Sequence, residues 1–338
     1  MITQRERKGK ENMEEKIIAY KGFDKDLKCR GFQYEVGKTY ETDKAILCEA
    51  GFHACEAPLN VWDYYPPTDG NRFCKVDMSE VSPQRDSDTK RVSKKITVGA
   101  EIGIPGLVKA HVEWVKEQTK DCDELSGDAA KIGSSGYAAQ IGSSGDAAKI
   151  GSSGDDAQIG SSGRYAQIGS SGRYAQIGSS GYDAKIGSSG YDAQIGSSGY
   201  DAKIGSSGDA AKIGSSGRYA QIGSSGYAAQ IGSSGYAAQI GSSGDAAKIG
   251  SSGRYAQIGS SGDDAIVICD ADHATVACVG KRGRIKAPIG TWITLAEYGE
   301  WDGNGYPCIC VKSAQIDGEN LKADTFYSLK NGEFVEVD

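Results

Sequence analysis

Residues 127–135 read Gly-Asp-Ala-Ala-Lys-Ile-Gly-Ser-Ser, and residues 136–144 repeat them as Gly-Tyr-Ala-Ala-Gln-Ile-Gly-Ser-Ser. The same nine-residue unit, Gly-x-x-Ala-Lys/Gln-Ile-Gly-Ser-Ser, occurs fifteen times without a break, the last copy starting at Gly253. Two drifting units follow, at 262–270 and 271–279; they keep the fourth-position alanine as Ala265 and Ala274 and an apolar sixth position as Val267 and Val276. Terminal drift of this kind belongs to capped repeat arrays.

Within a unit, Ala130 and Ile132 lie two apart with Lys131 between them, which is the period of a strand with one buried face. A helix over the same residues would carry two glycines in every nine, so the helical reading fails. The Gly-Ser-Ser-Gly segment turns the chain, its glycines permitting positive φ and close approach. A single unit buries one Ile and one Ala and cannot stand alone; stacked units convert those positions into continuous ladders. The fold class expected is mainly β: a central nonapeptide-repeat β-solenoid of two units, 18 residues, per coil, flanked by a small α+β N-terminal domain and a β C-terminal domain. At roughly 4.8 Å per stacked strand, about eight coils make a rod on the order of 40 Å long. Three units per coil would make it shorter and triangular.

Composition agrees. The 338-residue chain has 48 Gly and only 38% hydrophobic residues, a bias that suggests repeats. Shifts in composition divide it into a polar tail (1–16), an N-terminal α+β domain (17–104), a capping helix and linker (105–126), the solenoid (127–279) and a C-terminal β domain (280–338). No apolar run has the 18 or so residues of a membrane span, and the start lacks the apolar core of a signal peptide. Nine cysteines at irregular spacing fit buried thiols in a reducing compartment. A cytoplasmic location is expected.

The array surface excludes several function classes. A nonapeptide calcium roll needs an acidic residue in the turn of nearly every unit, whereas the third position is Asp only at Asp156, Asp183, Asp192, Asp201 and Asp264. Calcium is not expected. Residues 127–261 hold nine Asp against six Lys and four Arg, so the rod neither mimics DNA nor offers the basic stripe that phosphate contacts demand. Ice binding requires a flat array of small hydroxyl or methyl groups, and the outward columns carry Lys, Gln, Asp, Tyr and Arg instead. What stands out is the Arg-Tyr pair of four units, Arg164-Tyr165, Arg173-Tyr174, Arg218-Tyr219 and Arg254-Tyr255, residue types that carry interface hot spots. These eight residues form the candidate binding surface. The alternative is that stacked Tyr and Arg merely shield the edges of a thin rod.

In the flanks, strands are expected at Ile17-Ile18-Ala19-Tyr20, Phe32-Gln33-Tyr34-Glu35-Val36, Ala45-Ile46-Leu47-Cys48 and Phe73-Cys74-Lys75-Val76-Asp77. A helical turn is expected over 58–65. Cys48, His53 and Cys55 suit zinc in residue type, but their spacing matches no standard module and core cysteines account for them better. No metal or other cofactor is expected, and no catalytic residues are assigned; His53 beside a cysteine is noted only as a nucleophile pair without a local signal to place it. A helix over 105–118 carries Leu107, Val108, His111, Val112, Trp114 and Val115 on an apolar side, and its place before the first repeat suggests a lid on the end of the Ile ladder. After the array, 292–298, 308–311 and a hairpin over 326–335 with Asn331-Gly332 at its turn form a β cap.

The flanks also carry a resemblance. Tyr20-Lys21-Gly22-Phe23, Cys29-Arg30-Gly31-Phe32-Gln33-Tyr34-Glu35-Val36-Gly37-Lys38, Gly51-Phe52-His53-Ala54-Cys55 and Tyr64-Tyr65-Pro66-Pro67 resemble an uncharacterised domain family of phage and prophage proteins. So do Ile102-Gly103-Ile104-Pro105-Gly106-Leu107-Val108-Lys109-Ala110, the nine-residue array and Ala323-Asp324-Thr325-Phe326-Tyr327, so that the resemblance covers nearly the whole chain. The repeat wording, Ile-Gly-Ser-Ser-Gly, departs from the Thr-Asn-Thr-Gly type of that family. The resemblance implies a viral or mobile-element setting and no activity.

Three functions are carried forward. The first is a non-enzymatic phage-associated binding protein whose solenoid docks on a host macromolecule, a host protein by preference, and inhibits a defence or DNA-processing protein. The second is a virion or assembly spacer. The third is a small nucleotide-binding or enzymatic N-terminal domain carried on a scaffold. Self-association through the terminal domains stays open.

Overall fold

The computed structural model describes residues 16–68, 70–85, 89–119 and 127–338. Nearly all of the expected polar tail and the linker after the helix, 120–126, lie outside the described residues.

The array is a flattened β-solenoid of about nine turns with an 18-residue repeat. Successive units contribute one four-residue strand each, such as Lys185–Ser188 and Gln194–Ser197, alternately to two eleven-stranded sheets. Pairing is parallel and in register, Ile186 beside Ile204 and Gly187 beside Gly205. The coil is closed by three sets of backbone bonds. The third-position N–H donates to the second-position carbonyl one coil on, as Ala147 to Arg164 at 2.7 Å; the fifth-position N–H donates back to a fourth-position carbonyl, as Lys185 to Ala166 at 2.8 Å; and the ninth-position N–H donates to an eighth-position carbonyl, as Ser189 to Ser170 at 3.0 Å. Ile, Ala and the eighth-position Ser point inward and are buried, and the Ile ladder forms one continuous core running into the C-terminal segment.

Positive φ falls where the glycines are not. No glycine of the array has positive φ; the third position has it instead, at 52° to 60° in every unit from Ala129 to Arg282, whether the residue is Ala, Asp, Tyr, His or Arg. The first-position glycine serves close approach: a Cβ on Gly190 would stand 1.9 Å from the carbonyl oxygen of Gly172, and the same contact recurs along both edges.

Parallel pairing runs past Val279. Arg284–Lys286 pairs with Ile266–Cys269 and Trp292–Tyr298 with Thr275–Cys278, after which antiparallel strands end each sheet. The hairpin Phe326–Lys330 to Glu333–Val337 turns at Asn331 and Gly332, with φ of 54° and 70°, the two positive values a type I′ turn requires.

The N-terminal strands close on themselves. Ile17–Phe23 pairs with Phe52–Cys55 and Arg72–Val81, and Lys90–Glu101 joins the latter two. The last strand lies in a lysine-rich segment and was not expected from the sequence. Conversely, 45–48 forms turns and a single bridge, with Cys48 at φ 63°, and only Phe32 and Gln33 of the second expected strand pair. Pro58–Asp63 is a 3₁₀ helix.

Helix α1, Gly103–Thr119, does not cap the end of the Ile ladder. It lies lengthwise on the outer face of one sheet, touching strands from Gln140–Ser143 to Gln230–Ser233. The seventh-position glycines explain this. They form a column without side chains, and α1 fills it: Val115 over Gly178, His111 and Val112 over Gly196, Val108 over Gly214, and Ile104 with Trp62 over Gly232. One helical turn advances about 5.4 Å and one coil about 4.8 Å, so the apolar stripe places one turn per coil. Among the described residues no helix is long and apolar enough to cross a membrane.

Candidate functional site

The rod has one covered and one open face. On the covered sheet Gly178, Gly196, Gly214, Gly232 and Gly250 are buried under α1 and the N-terminal strands' connections. Lys212 fixes this contact. It occupies a fifth position that is Gln in the neighbouring coils, is 2% exposed, and its Nζ meets Asp63 at 2.5 Å and Asp192 at 2.8 Å. Burial alone would pull the ammonium down, but the two carboxylates outweigh it and hold its pKa above the usual value. His111 is also buried here, stacked on Trp114 at 6.1 Å. Burial, with Lys212 nearby, pushes its pKa to about 3, so it is neutral, as expected of a packed helix residue.

On the open sheet the same column, Gly151 through Gly241, is exposed, and a Cβ added at Gly151, Gly187, Gly205 or Gly223 would touch nothing. Glycine floor and fifth-position side chains bound a trough of about 1250 Å³. Four of the six array lysines, Lys131, Lys149, Lys185 and Lys203, stand in the fifth-position column of this face. At its C-terminal end the column passes to Trp292, which is 53% exposed, with Val311 exposed on the next strand.

Two units per coil send alternate turns to opposite edges, and the eight Arg and Tyr residues divide accordingly. Arg164, Tyr165, Arg218, Tyr219, Arg254 and Tyr255 share the edge that leads into the open sheet, while Arg173 and Tyr174 are on the other. The first edge carries a ladder of rings: Tyr182 and Tyr200 stack at 5.1 Å, Tyr219, Tyr236 and Tyr255 continue edge to face, and His273 ends it. The Arg218 guanidinium sits 5.1 to 5.9 Å from the Tyr200, Tyr219 and Tyr236 rings. Arg164 and Arg173 instead pair with Asp146 and Asp155 one coil earlier; such exposed, solvent-screened pairs contribute little to stability.

The N-terminal domain holds a pocket of about 580 Å³ among Tyr20–Gly22, Cys29, Arg30, Phe32, Tyr34, Cys48–Cys55, Tyr64, Tyr65 and Lys90. Residues 17–110 are similar to the family described as Domain of unknown function (DUF7666). That match contains the whole pocket and ends inside α1; the array and the C-terminal strands lie beyond it. No curated protein and no solved structure matches the chain.

Within the DUF7666 segment, Cys48, His53 and Cys55 do not gather as ligands. His53 accepts the Cys48 N–H at Nε2 (2.9 Å), Cys55 is buried, and among the described residues no group of three His, Cys, Asp or Glu side chains is placed to hold a metal. The chemistry of the pocket rests on residues that sequence reasoning passed over, Lys21 and Arg30. Lys21 is 5% exposed, donating to the His53 carbonyl at 2.8 Å and the Cys29 Sγ at 3.4 Å. Burial lowers its pKa, and burial followed by Lys21 lowers that of His53.

Proposed function

We propose that this is a non-enzymatic binding protein whose solenoid docks on a host macromolecule through the open glycine face and its aromatic edge, in the phage-associated setting that the sequence resemblance implies and the cytoplasmic one that the cysteine usage suggests. The observation that carries the reading is that the rod offers the same side-chain-free column on two faces and its own helix α1 occupies only one. The occupant we assign to the other is an amphipathic helix of a protein partner. It would carry Val or Ile every three to four residues, as Ile104, Val108, Val112 and Val115 do on α1, and acids facing Lys131, Lys149, Lys185 and Lys203. An edge-on ladder of Tyr with Arg218 and Arg254 supplies the anchor chemistry beside it.

The test fills the trough. Gly187→Val with Gly205→Val adds β-branched side chains to exposed strand positions with open space above them, a change strands accommodate. A host protein captured from bacterial lysate by the native chain and lost with the filled trough supports the reading. So does binding of a 17-residue acidic peptide bearing the α1 stripe, followed by fluorescence anisotropy and abolished by the same substitutions. Equal capture and equal peptide binding by the two chains would sink it.

A further inference from the structure

Lys21 is a buried cation without a counter-anion. Its ammonium donates to a neutral carbonyl and a thiol, and among the described residues no carboxylate pairs with it. An unpaired ammonium is costly to bury. The pocket around it compounds the charge: Arg30 also lines it, and Glu49 is the one acid among its described lining residues. Its mouth is aromatic. Phe32 leans edge to face on Tyr34 at 4.8 Å and Tyr40 at 5.4 Å yet stays 48% exposed, and Tyr64 is exposed on the other side with the Lys90 ammonium 4.9 Å from its ring. Gly22 lets the Tyr65 side chain pack closely on the strand beside Lys21, where a Cβ would stand 2.6 Å from it. A volume of about 580 Å³ is in the ordinary range for a small-molecule site.

We propose that this pocket binds a nucleoside phosphate, with the phosphate on Lys21 and Arg30 and the base on the Phe32 and Tyr64 rings. The phosphate supplies the missing counter-anion, since Lys21 has three N–H donors and only two are taken up by protein atoms. The aromatic rim demands a planar group at the opposite end of the ligand and distinguishes a nucleotide from a simple anion. This site is separate from the open face of the rod and stands or falls independently of it.

The experiment is calorimetry and thermal unfolding of the full chain with the four ribonucleoside 5′-mono- and triphosphates, the parent nucleosides and inorganic phosphate. At least one nucleotide is expected to raise the melting temperature and to bind at least ~10-fold more tightly than its nucleoside or phosphate, the difference one good charge-assisted contact makes. Lys21→Met should weaken that nucleotide ~10- to 100-fold while leaving the unliganded chain as stable or more so, because an apolar side chain replaces an unpaired buried charge. Arg30→Ser and Phe32→Ser, both at the exposed rim, should each weaken it ~10-fold without unfolding the domain, and they decide the matter if Lys21→Met does not fold. Absence of any nucleotide effect at millimolar concentration, phosphate binding as tightly as every nucleotide, or rim variants that bind like the native chain would each overturn the proposal.

Discussion

The two sheets of the solenoid are built from the same words and carry different duties. Gly205 and Gly214 are seventh-position glycines nine residues apart, with near-identical neighbours; the first is exposed to solvent and the second lies under Val108 of α1. Local sequence therefore does not say what a repeat surface does. What covers it decides, and the covering helix is encoded outside the array.

Four measurements break or sharpen that comparison. The largest effect should ignore it: Gly199→Ala and Gly208→Ala, on opposite edges, each place a Cβ 1.9 Å from the carbonyl of the coil below, and both should cost more than about 4 kcal/mol in denaturant unfolding. A one-sided response would mean that the coils are not equivalent.

Next, Lys212→Met removes the cation from two carboxylates and should cost about 3–5 kcal/mol, whereas Lys203→Met on the open sheet, where the side chain is exposed, should stay within about 0.5 kcal/mol. Third, Gly214→Val collides with Val108 at 2.5 Å and should destabilise by about 1–3 kcal/mol. Its open-face counterpart Gly205→Val should be neutral or slightly stabilising, since a β-branched residue replaces glycine in a strand.

The last effect is the pH dependence that His111 brings to the covered side. His111 is neutral in the folded chain down to about pH 3, while in the unfolded chain it takes up a proton below its ordinary value of about 6.5. The contribution of His111 to stability is therefore constant above pH 6.5 and falls by roughly 1.4 kcal/mol per pH unit below it. Replacing His111 by Leu should remove that share of the slope in unfolding curves measured between pH 7 and 5.

How much of this is legible in the sequence follows from the range of each interaction. The Ala-x-Ile alternation and the unbroken period determine the coil, because every unit meets only copies of itself. The turn chemistry is misread locally: glycine suggests positive φ, yet Tyr165, Asp183 and Ala210 adopt it because the close approach between coils reserves the glycine for another place. The α1 stripe is visible in the sequence, but its destination depends on a column of absent side chains. The split of the Arg-Tyr pairs was readable, since Arg164, Arg218 and Arg254 differ by multiples of 18 and Arg173 does not. Nothing local marks Lys21, whose meaning comes from Cys29, His53 and Arg30 brought around it by strand pairing.

The one-turn-per-coil fit of α1 has a last consequence. A run of interchangeable units is a ruler without a zero, on which a docked helix could slide by whole coils and meet the same floor. Lys212 is the origin mark: one coil lower the scale reads Gln194 and one coil higher Gln230. Inserting 18 residues before Lys212 should carry the N-terminal domain along the rod with it, and inserting them after should leave it where it is.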